Sequence, residues 1–403
     1  MKLVTFLGIG RYQSALYYWG DEHFTTPFVQ RALVELMPDI SETILFATDR
    51  AWELNGSSIL EAMPKGFHRE RLQNEDDFMA IFACLNAMIG SGERLVIDIT
   101  HSYRSIPMVA LPLINYLKLA KDVQIDGVYY GRVEHDTGPP LQGKIVDLSD
   151  IIYFERWTLA VSAFLRYGKG DQLAGIIDEE VTRRYMTPAE APPRKMGELR
   201  SALQQLSGAL DANRLAVVAR ESQRLYNLLT SDGWQEEASG PLHMILPLID
   251  RLTGDVALFR DAAFSPAAKL QLARWYLEHH DLISAALVAR ETVITQYLQK
   301  NDRAEYIMNR EQREEMVRRM RQELPEEHPL ALLDSQLSDI RNSLAHCGLR
   351  GHKEGGGTRF RDKDMDPQKI PHRLLQLIDE LERALDDDTL WKLEQTQLMP
   401  ETS

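Results

Sequence analysis

Short, near-continuous apolar runs separated by helical patterns fill the first 150 residues and then stop, and this break constrains the chain more than any other feature. The runs are Lys2–Gly8, Glu42–Thr48, Arg94–Thr100 and Gln124–Gly131. Strands that are apolar on both sides suit a parallel sheet buried on both faces. Helical patterns at Pro27–Met37, Asp76–Ile89 and Ile106–Lys121 lie between them. That order predicts a Rossmann-like α/β domain with an open, doubly wound parallel sheet. Ile145–Leu148, after the turn-rich Asp136–Gly143, reads as a last edge strand. From about Tyr153 onward helical periodicity takes over, through Trp157–Leu165, Gly197–Leu210, Ala216–Leu229, Leu242–Leu252, Ala267–Glu278, Leu282–Gln299, Gln312–Glu323, Leu330–Ala345 and Leu374–Leu385. A chain of 403 residues exceeds one ordinary core,. The expectation is therefore an α/β domain over 1–152 and an all-α domain over 153–403, the latter including a connecting helical subregion at roughly 153–240.

Composition narrows the setting. Hydrophobic residues at 44% and charged residues at 26% are the balance of a soluble globular protein,. No stretch approaches the roughly 18–20 apolar residues of a membrane span. The opening MKLVTFLGIG runs into a glycine turn without a small-residue cleavage site, so it reads as a first strand,. Cys84 and Cys347 are too few for a disulfide framework or a zinc site,. The expectation is a cytoplasmic protein with no membrane partner. A net charge of −14 argues against coating nucleic acid by bulk electrostatics and leaves room for a local basic cleft,. Two segments are locally basic: Arg310–Arg321, with Arg310, Arg313, Arg318, Arg319 and Arg321, and Arg350–Lys363. Each reads equally as a solvated surface or as a substrate contact.

In an open parallel sheet, ligands sit outside the carboxyl ends of strands, where the strand order reverses. Two loops leave such ends with useful chemistry. In the first, Gly8 and Gly10 let backbone approach a ligand, Arg11 can meet phosphate, and Tyr12 can stack or hydrogen-bond,. The second gathers Thr100, His101, Ser102 and Arg104 ahead of a helix, where free N–H groups favour an anion,. Asp98, at the strand end, reads as a structural residue. A nicotinamide dehydrogenase is the competing reading, with Asp49 as a ribose reader. It fits poorly, because position 13 is Gln where the dinucleotide fingerprint wants Gly, and Asp49 lies about twice the usual ~20-residue offset away,.

Near the C-terminus stands Asp339-Ile340-Arg341-Asn342-Ser343-Leu344-Ala345-His346. On a helix Asn342 and His346 share a face, with Arg341 roughly 140° round from His346. An imidazole moves protons near neutral pH and a guanidinium grips phosphate through two parallel bonds. Those roles suffice for metal-free RNA cleavage: a base takes the ribose 2′-hydroxyl proton, the oxygen attacks the adjacent phosphorus, and Arg341 stabilises the phosphorane. The products then carry a 2′,3′-cyclic phosphate and a 5′-hydroxyl. One histidine serves poorly as both base and acid, which points to two copies meeting. A Cys347–His346 nucleophile pair is disfavoured, since adjacent helical residues point about 100° apart. Glu291, in an otherwise apolar helix, reads either as a residue orienting the site or as an exposed acid. The run Asp386-Asp387-Asp388 reads as a solvated helix end ahead of a metal site,.

The opening LGIGRY, the strand-end DITHSYRSIP and the later RNSLAH, in this order and spacing, resemble the CRISPR-associated CARF–HEPN ribonucleases of type III systems. Ser102 stands where relatives tend to carry Gly. The resemblance implies that the α/β domain binds cyclic oligoadenylate at a homodimer interface. Gly8, Gly10, Arg11, Tyr12, Thr100, His101, Ser102 and Arg104 are then the candidate contacts. It implies a composite ribonuclease site of Arg341, Asn342 and His346 from two copies, acting on single-stranded RNA in antiviral defence. No cofactor or metal is expected. The activator's ring size is left open, with cyclic tetra-adenylate the working assignment, as is assembly of dimers into higher oligomers. Thr100 and Ser102 are candidates for degrading the activator. The alternative is a cyclic-oligonucleotide-binding regulatory protein without nuclease activity.

Overall fold

A computed structural model of the chain describes residues 1–63, 66–73, 77–101, 106–134, 141–186, 194–231, 246–345, 366 and 368–391, with the backbone alone for 106–111, 183 and 246–247. It divides into two units, Met1–Glu155 and Arg156–Ser403.

The first unit is built on β1 (Lys2–Leu7), β2 (Ala15–Trp19), β3 (Glu22–Thr26), α1 (Val29–Leu36), β4 (Glu42–Thr48), α2 (Asp49–Ala62), β5 (His68–Leu72), α3 (Phe78–Met88), β6 (Arg94–Asp98), α4 (Ile106–Lys121), β7 (Gln124–Glu134) and β8 (Leu141–Asp147), followed by α5 (Asp150–Tyr167). Eight strands form one sheet in the order β3-β2-β8-β7-β6-β1-β4-β5. Five of them, from β7 to β5, run parallel, with β1 central and registered as Leu3 to Thr43 on one side and Leu3 to Val96 on the other. Alternation along β1 separates two cores. Leu3 and Leu7 pack with residues of α1 and α2, while Val4 and Phe6 pack with residues of α3 and α4. Helices therefore cover both faces, as a doubly wound sheet requires.

The expected open parallel sheet is present from β7 to β5, and antiparallel pairs extend it on one side. β2 pairs antiparallel with β3, and β7 antiparallel with β8. β8 lies between β7 and β2, so the segment expected at an edge is interior. β2, β3 and β5 lack continuous apolar runs because each buries only part of its length. On β5 the sequence HRERL supplies Arg69 and Arg71, both paired with Asp49. α2 also carries a weak apolar pattern, DRAWELNGSSILEA, and owes its start to Thr48, whose hydroxyl accepts from the Ala51 amide at 3.2 Å,.

The second unit is helical, as expected. After α5 come α6 (Asp171–Tyr185), α7 (Arg194–Asp211), α8 (Leu215–Leu229), α9 (Leu246–Phe259), α10 (Pro266–Glu278), α11 (Leu282–Lys300), a 3₁₀ turn at Ala304–Tyr306, α12 (Arg310–Glu323), α13 (Pro329–Ala345), α14 (Ile370–Leu385) and α15 (Asp388–Trp391). α6 is the helix that periodicity missed, being rich in charge; its Glu180 and Arg184 form a buried i,i+4 pair at 2.7 Å. α11 is the centre of the unit. It buries side chains all round, packs against α10, α13 and α14, and is capped by Asp281, which accepts from the Ser284 amide at 3.0 Å. Such a helix is hydrophobic on every face because neighbours surround it. Among the described residues no helix is long and apolar enough to cross a membrane.

Lys269 of α10 is a buried amine in this core. Only 2% exposed, it donates to the Ala263 carbonyl at 2.7 Å. Burial, with a smaller contribution from Arg313, pulls its pKa from 10.5 to about 7,. Between those values the unfolded chain binds a proton that the folded chain does not, so this group makes stability rise with pH across about 7 to 10,. Lys269→Met is expected to remove that rise. Denaturant midpoints at pH 7 and pH 9.5 check it, and equal pH slopes for the two proteins would contradict the burial of a strained amine.

Candidate functional site

The sheet places two loops side by side. β1 sits between β4 and β6, and the chain crosses to opposite sides of β1 to reach them, so strand order reverses there. The ends of β1 and β6 open onto this switch point, bringing Gly8–Tyr12 beside Asp98–His101. Ligand crevices in open α/β sheets form at such places.

The first loop is folded on itself. The Gly8 amide donates to the Tyr12 hydroxyl at 2.8 Å, and that hydroxyl donates to the Gly8 carbonyl at 3.2 Å. A Cβ on Gly8 would stand 3.1 Å from the His101 carbonyl oxygen, so glycine is what lets the two loops touch,. At Gly10 a Cβ would meet nothing within 4 Å among the described residues. Asn55 of α2, missed in the sequence, donates from Nδ2 to the carbonyls of Gly8 and Gly10 at 2.9 and 3.1 Å. Arg11 is exposed. Tyr12 is engaged inward: its ring lies 4.8 Å from Phe28 and meets His101 edge-on at 4.5 Å.

Beneath the second loop Asp98 is completely buried. One carboxylate oxygen accepts from the Thr5 hydroxyl of β1 at 2.5 Å; the other accepts from the Thr100 amide at 3.0 Å and from the Thr100 hydroxyl. The Thr100 oxygen in turn accepts from the Gly131 amide of β7 at 2.7 Å. Burial raises the Asp98 pKa, and the bonds from Thr100 and Thr5 oppose the rise,. Thr100 thus uses its hydroxyl in the sheet. His101 differs. Its Nε2 is buried and has no hydrogen-bond partner among the described residues. Ser102 and Arg104 lie outside the described residues. Gly8, Gly10, Arg11, Tyr12, Thr100 and His101 are brought together, and an unpaired imidazole nitrogen among them is a position where a ligand can supply the missing bond.

Desolvation lowers the His101 pKa from 6.5 to about 4, so the ring is neutral in ordinary buffers. Stability from this neutral ring is present above about 6.5 and lost as pH falls through about 4,. An NMR titration is expected to show His101 unchanged between pH 8 and pH 5.5. A midpoint near the ordinary value would contradict the enclosure described here.

In the helical unit, Arg341 and Asn342 of α13 line a cleft of about 490 Å³ together with Ser338, Asp339, Arg290 and Arg321. Its rear wall is organised by Asp334, which is 1% exposed. One carboxylate oxygen accepts from Arg290 Nε at 2.9 Å, and the other from Arg321 Nε and Nη2 at 2.7 and 2.6 Å. Arg321 also reaches the Ser338 hydroxyl at 3.4 Å. Asp334, Ser338 and Arg341 are spaced at i, i+4 and i+7 on one helix, a spacing that shares one face and was the sequence signal available,. His346 and Cys347 lie outside the described residues. Glu291 pairs with Arg313. Asp387 accepts from the Thr389 amide at 3.1 Å and Asp388 pairs with Lys300, so these acids cap and tether the last helix.

Removing Asp334 leaves two guanidiniums facing each other around a void. Asp334→Ala is expected to lower stability by about 2–3 kcal/mol, less than a fully buried pair would lose because Arg321 is half exposed. Urea denaturation checks this, and a change below about 0.5 kcal/mol would show that the shared carboxylate does not organise the cleft.

Comparison with known proteins adds kinship. Residues 153–257 match a family model described as the second domain of CRISPR-associated protein MJ1674. A curated relative, CRISPR-associated protein MJ1674 of Methanocaldococcus jannaschii, is 23% identical over 241 residues, which cover 59% of this chain. The aligned region spans only 34% of that relative's length. Together the family match and this relative support a CRISPR-associated protein family for the chain.

Proposed function

We propose that the protein is an endoribonuclease of CRISPR antiviral defence, switched on by cyclic oligoadenylate bound at the switch point of its α/β unit. The observation that carries the reading is the cleft on α13, where Arg341 and Asn342 stand with Arg290 and Arg321. Guanidiniums gathered at a cleft suit a phosphodiester whose charge grows on the way to a phosphorane. In this reading His346 removes the 2′-hydroxyl proton, and that oxygen attacks the adjacent phosphorus. Arg341 stabilises the phosphorane. His346 of a second copy protonates the departing 5′-oxygen, so a homodimer completes the site. No metal takes part in the sequence of steps.

Support for the sensing half comes from the neutral His101, whose Nε2 has no hydrogen-bond partner among the described residues, and from the absence of any described atom within 4 Å of a Cβ at Gly10. A cyclic oligoadenylate, tetra-adenylate in the first instance, would activate only by binding the active arrangement more tightly than the inactive one.

Cleavage of end-labelled single-stranded RNA with and without cyclic tetra-adenylate tests the whole reading. The unaltered protein is expected to give 2′,3′-cyclic phosphate ends only with the activator, and His346→Ala to lose about 100-fold or more in rate. Equal cutting by both proteins would refute the assigned site. Tight binding of the activator with no cleavage by either would establish the regulatory alternative, a ligand-binding protein that does not cut.

A further inference from the structure

We infer that a second cleft, bounded by α11 and α12 and sharing Arg290 and Arg321 with the first, holds the phosphate backbone of the same RNA strand away from the scissile linkage. This inference rests on the ribonuclease reading above. The cleft has a volume of about 520 Å³. Arg290 and Arg321 line both clefts, so they form a shared wall between this one and the one holding Arg341 and Asn342. Arg310, Arg313 and Arg318 join them in its lining, with Glu291 and Glu314 as the acids among the described lining residues.

The local charge balance is unusual for a chain with a net charge of −14. Two carboxylates are each shared by two guanidiniums: Asp334 serves Arg290 and Arg321, and Glu315 serves Arg318 and Arg319. Sharing leaves positive charge uncompensated. Arg313, paired with Glu291, lies close enough to Arg290 that its charged form is disfavoured by burial and then by that second guanidinium, with Glu314 opposing. An anion entering the cleft relieves that repulsion.

The outer arginines are free to change partners. Arg310 is paired with Glu314 at 2.9 Å and Arg318 with Glu315 at 3.0 Å, yet their side chains remain 89% and 69% exposed. Pairs of that kind in water contribute little, about 0–1 kcal/mol, so a phosphate can take over the guanidinium at small cost. By side-chain exposure Arg310 and Arg318 are the outer arginines, Arg321 is half exposed, and Arg313 and Arg290 are the most enclosed. A phosphate track of this form grips backbone and reads no base. Its occupant is a single strand of RNA, and other polyanions are outcomes of the test.

The experiment uses the full chain with a 2′-O-methyl RNA oligonucleotide, which binds but cannot be cut, and a cleavable RNA of the same sequence. Arg310→Gln/Arg318→Gln is compared with the unaltered protein and with His346→Ala. Because both arginines are exposed, thermal melting is expected to stay unchanged. The double variant is expected to bind the oligonucleotide about 10-fold more weakly near 0.1 M salt, with the log–log salt slope reduced by about 0.7 for each lost contact. In cleavage the loss is expected in KM more than in kcat. Unchanged affinity and slope in the double variant, with His346→Ala still inactive, would overturn the track and leave the ribonuclease reading standing. Should the unaltered protein fail to cleave with activator, the binding arm still decides whether the cleft takes RNA. Equal loss of affinity for heparin and for the oligonucleotide would reduce the cleft to a general polyanion site and overturn its assignment to RNA.

Discussion

The buried Asp98 carboxylate ties three neighbouring strands at the point where the sheet changes direction. Thr5 reaches it from β1, the residue itself ends β6, and Thr100 links it to Gly131 on β7. Every donor in that network is neutral, so the carboxylate is stabilised by hydrogen bonds without an opposing charge. Taking a carboxylate fully out of water is expensive, and its raised pKa records the expense,. The return is positional. With β1, β6 and β7 fixed against one another, the chain leaving β6 brings the His101 carbonyl over Gly8, where a Cβ would stand 3.1 Å from it.

Asp334 has a comparable place in the helical unit with different chemistry. It too is buried, but its donors are the guanidiniums of α11 and α12. A buried anion between two cations fixes the angle of three helices more firmly than packing alone, because each guanidinium fork accepts few orientations. It also holds like charges close together, which apolar packing could not do. The arginine-lined clefts on either side of Arg290 and Arg321 follow from that arrangement.

What could be read from sequence divides along one physical line. Strands buried on both faces announce themselves as apolar runs, and β1, β4, β6 and β7 were legible for that reason. β5 was not, because its role is to carry Arg69 and Arg71 to Asp49, and β2 and β3 were not, because they bury only part of their length. α2 and α6 carry glycine and many charges, so tertiary contacts outweigh their local pattern. The same line runs through the site. Gly8, Tyr12, Thr100 and His101 lie within short segments whose chemistry is local. Asn55 lies 47 residues from Gly8, Thr5 lies 93 from Asp98, and Arg290 lies 44 from Asp334. Partners so distant become visible only when the fold brings them together.

The two buried aspartates suit two kinds of recognition. Around Asp98 the groups left over for a ligand are neutral: backbone edges, an imidazole held uncharged, and an aromatic ring engaged with its neighbours. Selectivity in such a pocket comes from hydrogen-bond complementarity, since an unmatched buried polar atom is penalised. Around Asp334 the cleft gathers Arg290, Arg321 and Arg341 beside Glu326 and Asp339, with one carboxylate shared by two of the guanidiniums. Attraction there is long-ranged, weakens with salt and is indifferent to base identity. A pocket that must distinguish one small ligand needs the first kind of physics, and a groove that must accept many sequences needs the second. In each unit the local chemistry follows from whether the buried carboxylate is satisfied by hydroxyls or by guanidiniums.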